Sequence, residues 1–456
     1  MNETVSGIIQ RMRAVAPPGR PHLDEATALR LRELTRELIA AKPDAAGEHD
    51  RFLAIRDRGL TQPRAQEAEL ARRLGGATIL VTGGTGCIGA ALMARLDEWY
   101  PGRLVSVSRG VTGGAPPHDR VEYVHADIRD RRAVGRLVTE IRPDAIFHLA
   151  AQRDPGLAEV EVHRTVSTNV LGTRNVLAAA AAAGVPQVVC ASTGKALRPY
   201  SPDVYTASKR AAEWVAADTA AGGGLLCSAA RFTHVVDNSI IYGRLRSWAA
   251  GPADRPIRLH GTSIAFYAQS ARESAQLLLS AFLGASPGEF RVHAITDLGW
   301  PVCLLDLALG VLAETGATVP VYFSGYDAGY EQVPFPGLYD PLTAGDVSPL
   351  LNAYEAITLV GQALPGADAF RLPFAADPRL HKTLAALDDT CARTHDPAPL
   401  RQELNELSWG LLGATLRSTP RPALLRSAAR AKAHWDTMSH EHRGILEAIC
   451  DVAGNP

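Results

Sequence analysis

The spacing of apolar positions changes twice along the chain. Up to about residue 75 it is helical: Asp24 is suited to cap a helix start, and Leu29, Leu31, Leu34 and Leu38 follow near helical spacing. From Ala77, short apolar runs alternate with helical stretches, the mark of βαβ units around a parallel sheet. Strands are predicted at 77–82, 103–108, 121–126, 144–150, 187–192 and 225–232, with helices at 88–100, 133–141, 168–183 and 205–220. The alanine run Ala178–Ala183 lies at helical phase beside a sheet, where small side chains would let backbones approach. Beyond about residue 240 the pattern loosens. PVCLLDLALGVLAETG (301–316) reads as a strand edge leading into a helix, and 325–341, rich in Gly, Pro and Tyr, as a loop or domain border. Residues 346–456 read as helices again, and no internal repeat is visible.

Composition narrows the class. The 456 residues are 46% hydrophobic and 21% charged, and 47 basic against 48 acidic side chains leave a net charge of -1. That balance offers no basic field for nucleic acid or an anionic membrane. No apolar run approaches the ~18–20 residues of a membrane span, and the first residues lack the apolar core of a secretory signal. The six cysteines are scattered without metal spacing and read as small core residues in a reducing compartment, so the expected location is the cytoplasm. Only five basic residues are lysine (Lys42, Lys195, Lys209, Lys382, Lys432), which makes each a place where a tunable amine could be needed.

Chemistry concentrates in the βαβ region. VTGGTGCIG (81–89) follows a strand and opens a helix, with Gly83, Gly86 and Gly89 spaced so that backbone N–H groups and a helix N-terminus can approach a pyrophosphate. Thr85, Cys87 and Ile88 share that turn, where Cys87 is read as a small side chain rather than a redox group. The next strand ends in Ser108-Arg109 rather than an acid, which suits the 2′-phosphate of NADP and leaves NAD as the alternative. Asp127 and Ile128 follow the third strand, where adenine would lie, and His148-Leu149-Ala150-Ala151 closes the fourth with small residues. Tyr205 and Lys209 stand at i, i+4 on one helix face, so the ammonium is expected to lower the phenol pKa and hold the nicotinamide ribose. Ser192 and Thr193, past a strand end, could hydrogen-bond the reacting oxygen. Ser439-His440-Glu441-His442 is set aside as a polar helix start, because histidines at i, i+2 do not share a helix face, and no metal is expected.

These motifs together resemble the extended short-chain dehydrogenase/reductase superfamily. More narrowly, SVSR, ADIRD, HLAAQRDPGLAE, TNVLGTRNVL and ASTGKALRPYSPDVYTASKRAAEW resemble its capsular-polysaccharide branch, which contains the UDP-N-acetylglucosamine 4,6-dehydratases. The resemblance implies an α/β, doubly wound parallel-sheet Rossmann fold. Its expected parts are a helical N-terminal extension (1–75), an NADP-binding domain (76–240), a substrate-binding part with return elements (241–345) and a helical C-terminal extension (346–456). It implies Asn169 among the cofactor contacts and Arg153, Thr233 and His234 among the substrate contacts. The family's Ser-Thr-Asp-Lys-Ala signature is Ser192-Thr193-Gly194-Lys195-Ala196 here: the acid that helps expel the C6 hydroxyl is gone, while Lys195, implicated at C5, is kept. The implied function is modification of a nucleotide-activated sugar through a 4-keto intermediate by a homo-oligomer. Tyr205 and Lys209 would act at O4, and His234 or a water would stand in for the missing acid. The alternatives are 4-epimerisation or ketone reduction, and a non-catalytic dinucleotide-binding sensor or scaffold.

Overall fold

The computed structural model describes residues 3–20, 22–110, 119–252, 255–326, 334–339, 347–372 and 374–454. The chain divides into two compact units. One comprises Met1–Arg58, Thr233–Ala271 and Leu298–Gln332, and the other Gly59–Phe232, Arg272–Asp297 and Val333–Pro456.

The larger unit is built on one sheet. Among the described residues it holds β1 (Thr78–Thr82), β2 (Arg103–Ser108), β3 (Val121–His125), β4 (Ala145–His148), β5 (Gln187–Thr193), β6 (Leu226–Phe232), β7 (Arg291–Ile295), β8 (Leu359–Leu364) and β9 (Ala367–Arg371), in the order β8-β9-β7-β6-β5-β4-β1-β2-β3. The pairs from β3 to β7 are parallel, and β9 with β8 adds an antiparallel edge. Ile79, Leu80 and Val81 of β1 are buried on both faces, as an inner parallel strand requires. The chain runs outward from β1 to β2 and β3, then crosses back to β4 on the other side of β1. Strand order reverses there, and ligands of such sheets bind beyond the strand C-termini at that point.

The hairpin of β8 and β9 corrects the expectation of helix throughout 346–456. Pro365-Gly366 turns it, with Gly366 at φ +87°; β8 is mostly exposed and β9 is buried through Phe370, so neither short strand shows an alternation to read. Helices then resume at Pro378–Arg393 and Pro397–Ser418, each with Pro in the first turn behind an Asp cap. Of Ala178–Ala183 only Ala180 is buried, so the run supplies helix propensity on an exposed face rather than close backbone approach.

The first 75 residues do not form one separate extension. The helices Glu3–Val15, Glu25–Ala41 and Ala45–Ala54 share a core with Val236, Leu305, Leu309 and Val321, while Arg64–Leu74 lies in the sheet unit. Asp24 caps the second helix through Thr27 N–H at 2.8 Å. Gly310 lets the helix Leu304–Thr315 cross the third closely, since a Cβ there would meet the Ala45 carbonyl oxygen at 2.4 Å. Of the predicted loop at 325–341, residues 325–326 and 334–339 are irregular or turn, and the others lie outside the described residues. No described helix is long and apolar enough to cross a membrane.

Candidate active site

The glycine turn joins β1 to the helix Cys87–Asp97. Gly83 takes φ +76°, and a Cβ there would meet Ala150 N at 2.9 Å, so the turn can lie against the end of β4 only as glycine. At Gly89 a Cβ would stand 2.2 Å from the Gly83 carbonyl oxygen. Gly86 occupies the helix N-cap, which leaves backbone N–H groups of the first turn free of side-chain caps. Leu149 and Ala150 donate to Thr82 O at 2.9 Å and Thr82 Oγ1 at 3.3 Å, holding the HLAA segment beside the turn. Thr85, Cys87, Ile88 and Ala151 are all half-buried here. These residues fit a dinucleotide: a cradle without Cβ atoms, at the switch point of the sheet.

Beyond β2 and β3 the charges gather. Ser108 Oγ donates to Gly110 O at 3.1 Å, and Arg109 is exposed. Asp127 pairs with Arg129 at 2.6 Å; Arg129 and then Arg109 hold its carboxyl below the usual range despite its partial burial. Ile128 is buried, and its carbonyl accepts from Asn175 at 3.0 Å. The Asn169 side chain is engaged within the protein. Its amide accepts from Gln152 N at 2.8 Å and donates to Gln152 O and Ser208 Oγ, both at 3.1 Å, from a π-helical turn at Ser167–Gly172.

Tyr205 and Lys209 lie on the helix Val204–Ala221, which is buried from Val204 through Ala216. Burial pushes the Tyr205 phenol up to about 12; a hydrogen bond with Thr193 and the charge of Arg153 oppose that rise. Lys209 is not among the groups that lower it. Its ammonium donates to Ala191 O at 2.8 Å, and burial lowers its own pKa against the charge of Glu213. Thr193 also caps the short turn Gly194–Leu197, accepting from Lys195 N at 3.3 Å. Burial and then Arg198 bring Lys195 down to about 8, while Asp203 and Glu159 hold it up.

Ser192 does not join this group. Successive residues of a strand face opposite ways, and its hydroxyl donates to Glu213 Oε1 at 2.6 Å inside a buried charge cluster. In that cluster Arg231 binds Glu213 at 2.8 Å and Glu355 at 2.6 Å, and Arg210 binds Glu355 at 2.7 Å. Although burial opposes ionisation, the two arginines hold Glu355 below its ordinary value and the two glutamates raise Arg231. Three of these four residues carry no local signal in the sequence. An arginine inside the apolar strand LLCSAARF was the available signal, because a buried guanidinium requires partners.

The place where an acid would replace Gly194 is filled. A Cβ there would lie 2.6 Å from Leu350 Cδ2, and Leu350 is buried. Thr233 and His234 belong to the other unit. Thr233 donates to Tyr267 O at 2.7 Å. His234 Nε2 pairs with Ser239 Oγ at 2.5 Å, its ring meets Phe266, and burial lowers it to about 4. A histidine neutral at physiological pH is a poor substitute for the missing acid. Ser439 caps the helix His440–Ala453, accepting from His442 N at 3.1 Å.

Residues 79–329, more than half of the chain, match the family described as polysaccharide biosynthesis protein. A capsular polysaccharide biosynthesis protein of Staphylococcus aureus is 28% identical over 285 residues, 58% of this chain and 46% of that one. The chain thus spans about half the length of that relative. An inverting UDP-N-acetylglucosamine 4,6-dehydratase of Campylobacter jejuni is 27% identical over 234 residues, 49% of this chain and 68% of the enzyme. The X-ray structure of Pen from Bacillus thuringiensis superposes with a TM-score of 0.55 at 21% identity, over 65% of this chain and 89% of that one, a likeness of fold. With the glycine turn and the Tyr205–Thr193 pair in place, the chain belongs to the polysaccharide biosynthesis protein family, within the extended short-chain dehydrogenase/reductase superfamily.

Proposed function

We propose that this protein is an NADP-dependent enzyme that modifies a nucleotide-activated sugar through a 4-keto intermediate. The hydrogen bond between the Tyr205 phenol and Thr193, the residue that also caps the short turn containing Lys195, carries this reading. A nicotinamide dinucleotide, when bound, supplies the hydride acceptor and donor. The glycine turn would hold its pyrophosphate, Arg109 its 2′-phosphate, and Lys209 its ribose. Thr193 orients the sugar hydroxyl and Tyr205 takes its proton as the ketone forms. A carbonyl at C4 acidifies the C5 hydrogen, and Lys195, lowered to about 8, has an amine that can remove it from about that pH upward. A phenol near 12 is a weak base, so the positive charge of Arg153 supports the phenolate that this step needs.

A second reading, 4-epimerisation or ketone reduction, is favoured by one observation: Leu350 fills the space beside Gly194, so no acid stands there to protonate a departing C6 hydroxyl. Mass spectrometry of reactions with UDP-, dTDP- and GDP-sugars separates the readings. Loss of one water means dehydration, an unchanged mass with altered chromatography means epimerisation, and gain or loss of two hydrogens means net redox. No product from any of these, with cofactor bound, refutes the proposed function.

A further inference from the structure

Glu159 lies on the short helix Pro155–Val160, with a largely buried side chain. One oxygen accepts the N–H of Val204, the residue before Tyr205, at 2.7 Å. The other pairs with Arg401 Nη1 at 2.5 Å, and Arg401 also donates to the Glu159 carbonyl oxygen. Arg401 comes from the helix Pro397–Ser418, far away in the sequence, which packs along the Tyr205 helix.

We propose that Glu159 is a positioning residue of this site, with Arg401 as its counter-ion: it closes the start of the Tyr205 helix, and its charge reaches the Lys195 amine. A carboxylate at a helix N-terminus satisfies an orphan N–H and suits the helix dipole, so it fixes where the first turn, and Tyr205 in it, begins. The same carboxylate reaches Lys195 electrostatically, together with Asp203 and against Arg198 from the lysine's own loop; Arg198 in turn interacts with Asp203, Tyr339, Glu441 and His442. Arg401 therefore links the C-terminal helices to the two groups proposed to move protons. The kinetic consequence rests on the reading of Lys195 as a proton-transfer group; the placement does not.

The test follows the amine directly. With only five lysines in the chain, trace labelling by acetic anhydride from about pH 6 to 10, read by mass spectrometry of the Lys195 peptide, gives the midpoint of its titration. Glu159→Gln keeps an acceptor for Val204 N–H but removes the charge, and should lower the midpoint by about half a pH unit or more. Arg401→Met leaves the carboxylate held by Val204 N–H without its counter-ion and should raise the midpoint, while Arg401→Lys should stay close to the unmutated protein. Thermal melts check that each variant is folded. Equal midpoints in all of these proteins, or a downward shift in Arg401→Met, would overturn the proposal. Turnover surviving in Lys195→Ala would instead refute the catalytic reading of Lys195 and leave the labelling result standing.

Discussion

Gly194 and Leu350 form a steric pair, and its energetics can be worked out. Gly194 is not among the glycines at positive φ, so its backbone accepts any residue and only packing resists a side chain. A Cβ 2.6 Å from Leu350 Cδ2 is about 1 Å inside the best carbon–carbon separation. Gly194→Ala must therefore turn Leu350 from its place, at about 1–3 kcal/mol for overpacking a buried site. Leu350→Ala alone should cost about 2–5 kcal/mol through lost burial and the cavity left behind. In the double variant the new methyl enters the space that the leucine vacates, so its loss should fall short of the sum of the singles by at least about 1 kcal/mol. Urea unfolding of the four proteins measures this cycle, and additivity within about 0.5 kcal/mol would refute the steric argument.

The same pair governs the chemistry. Gly194→Asp projects its carboxyl along the vector that Leu350 blocks, so alone it should yield no water-loss product. Combined with Leu350→Ala the acid gains room, and loss of water from the nucleotide sugar should appear in that variant only. The new carboxylate would also raise the Lys195 pKa, moving any proton-transfer limb to higher pH. Water loss catalysed by the unmutated protein would show that another group supplies the proton and would defeat the epimerase or reductase reading.

Tyr205→Phe removes the phenol proton and keeps the ring, so turnover should fall about 10²-fold or more while cofactor fluorescence still reports binding. Arg109→Ala should cut the preference for NADP over NAD by about tenfold to a hundredfold, the worth of a charge-assisted hydrogen bond; equal affinities for both cofactors in the unmutated protein would remove its basis. Burial and Arg198 lower Lys195 to about 8, so the neutral amine is present above that pH and scarce below it. Solvent deuterium uptake at C5 should accordingly rise with pH through about 8 and vanish in Lys195→Ala.

What the sequence revealed was what local pattern controls. The glycine turn, the six strands from 77 to 232 and the helix of Tyr205 follow from apolar runs, glycine spacing and an i, i+4 pair, which act over a few residues. What it concealed depends on contacts across hundreds of positions. Glu355 meets Arg231 across 124 residues, and Arg401 meets Glu159 across 242, so no window of the sequence contains either pair. The expected lowering of the Tyr205 phenol by Lys209 failed for a related reason. Spacing puts both side chains on one helix face, but Lys209 finds the Ala191 carbonyl of β5, and burial dominates the phenol. Likewise, Ser192 and Thr193 look equivalent in sequence, and only the pleat of β5 assigns one to Glu213 and the other to Tyr205.

The buried cluster explains how the site is held without calling on surplus stability. Two arginines and two glutamates balance in charge, and such pairs are often no more stabilising than well-packed apolar residues, whereas losing one partner typically costs about 3–5 kcal/mol. Their geometry ties together parts of the chain that apolar packing would leave free to slide. Arg231 reaches Glu213 on the Tyr205 helix, and the carbonyls of Ala196 and Leu350. Arg210 joins the same Ala196 carbonyl to Glu355 and to Thr415 of the helix that carries Arg401. A guanidinium has fixed donor directions, so it sets a register where a methyl group would tolerate several. Thr193 and Lys195 stand within the segment anchored in this way, and the same arginine that anchors Ala196 fixes the leucine that fills the side of Gly194. The C-terminal residues thus shape the loop after β5 by register and by exclusion, while the proposed proton-moving groups remain those of the Tyr205 helix and of that loop.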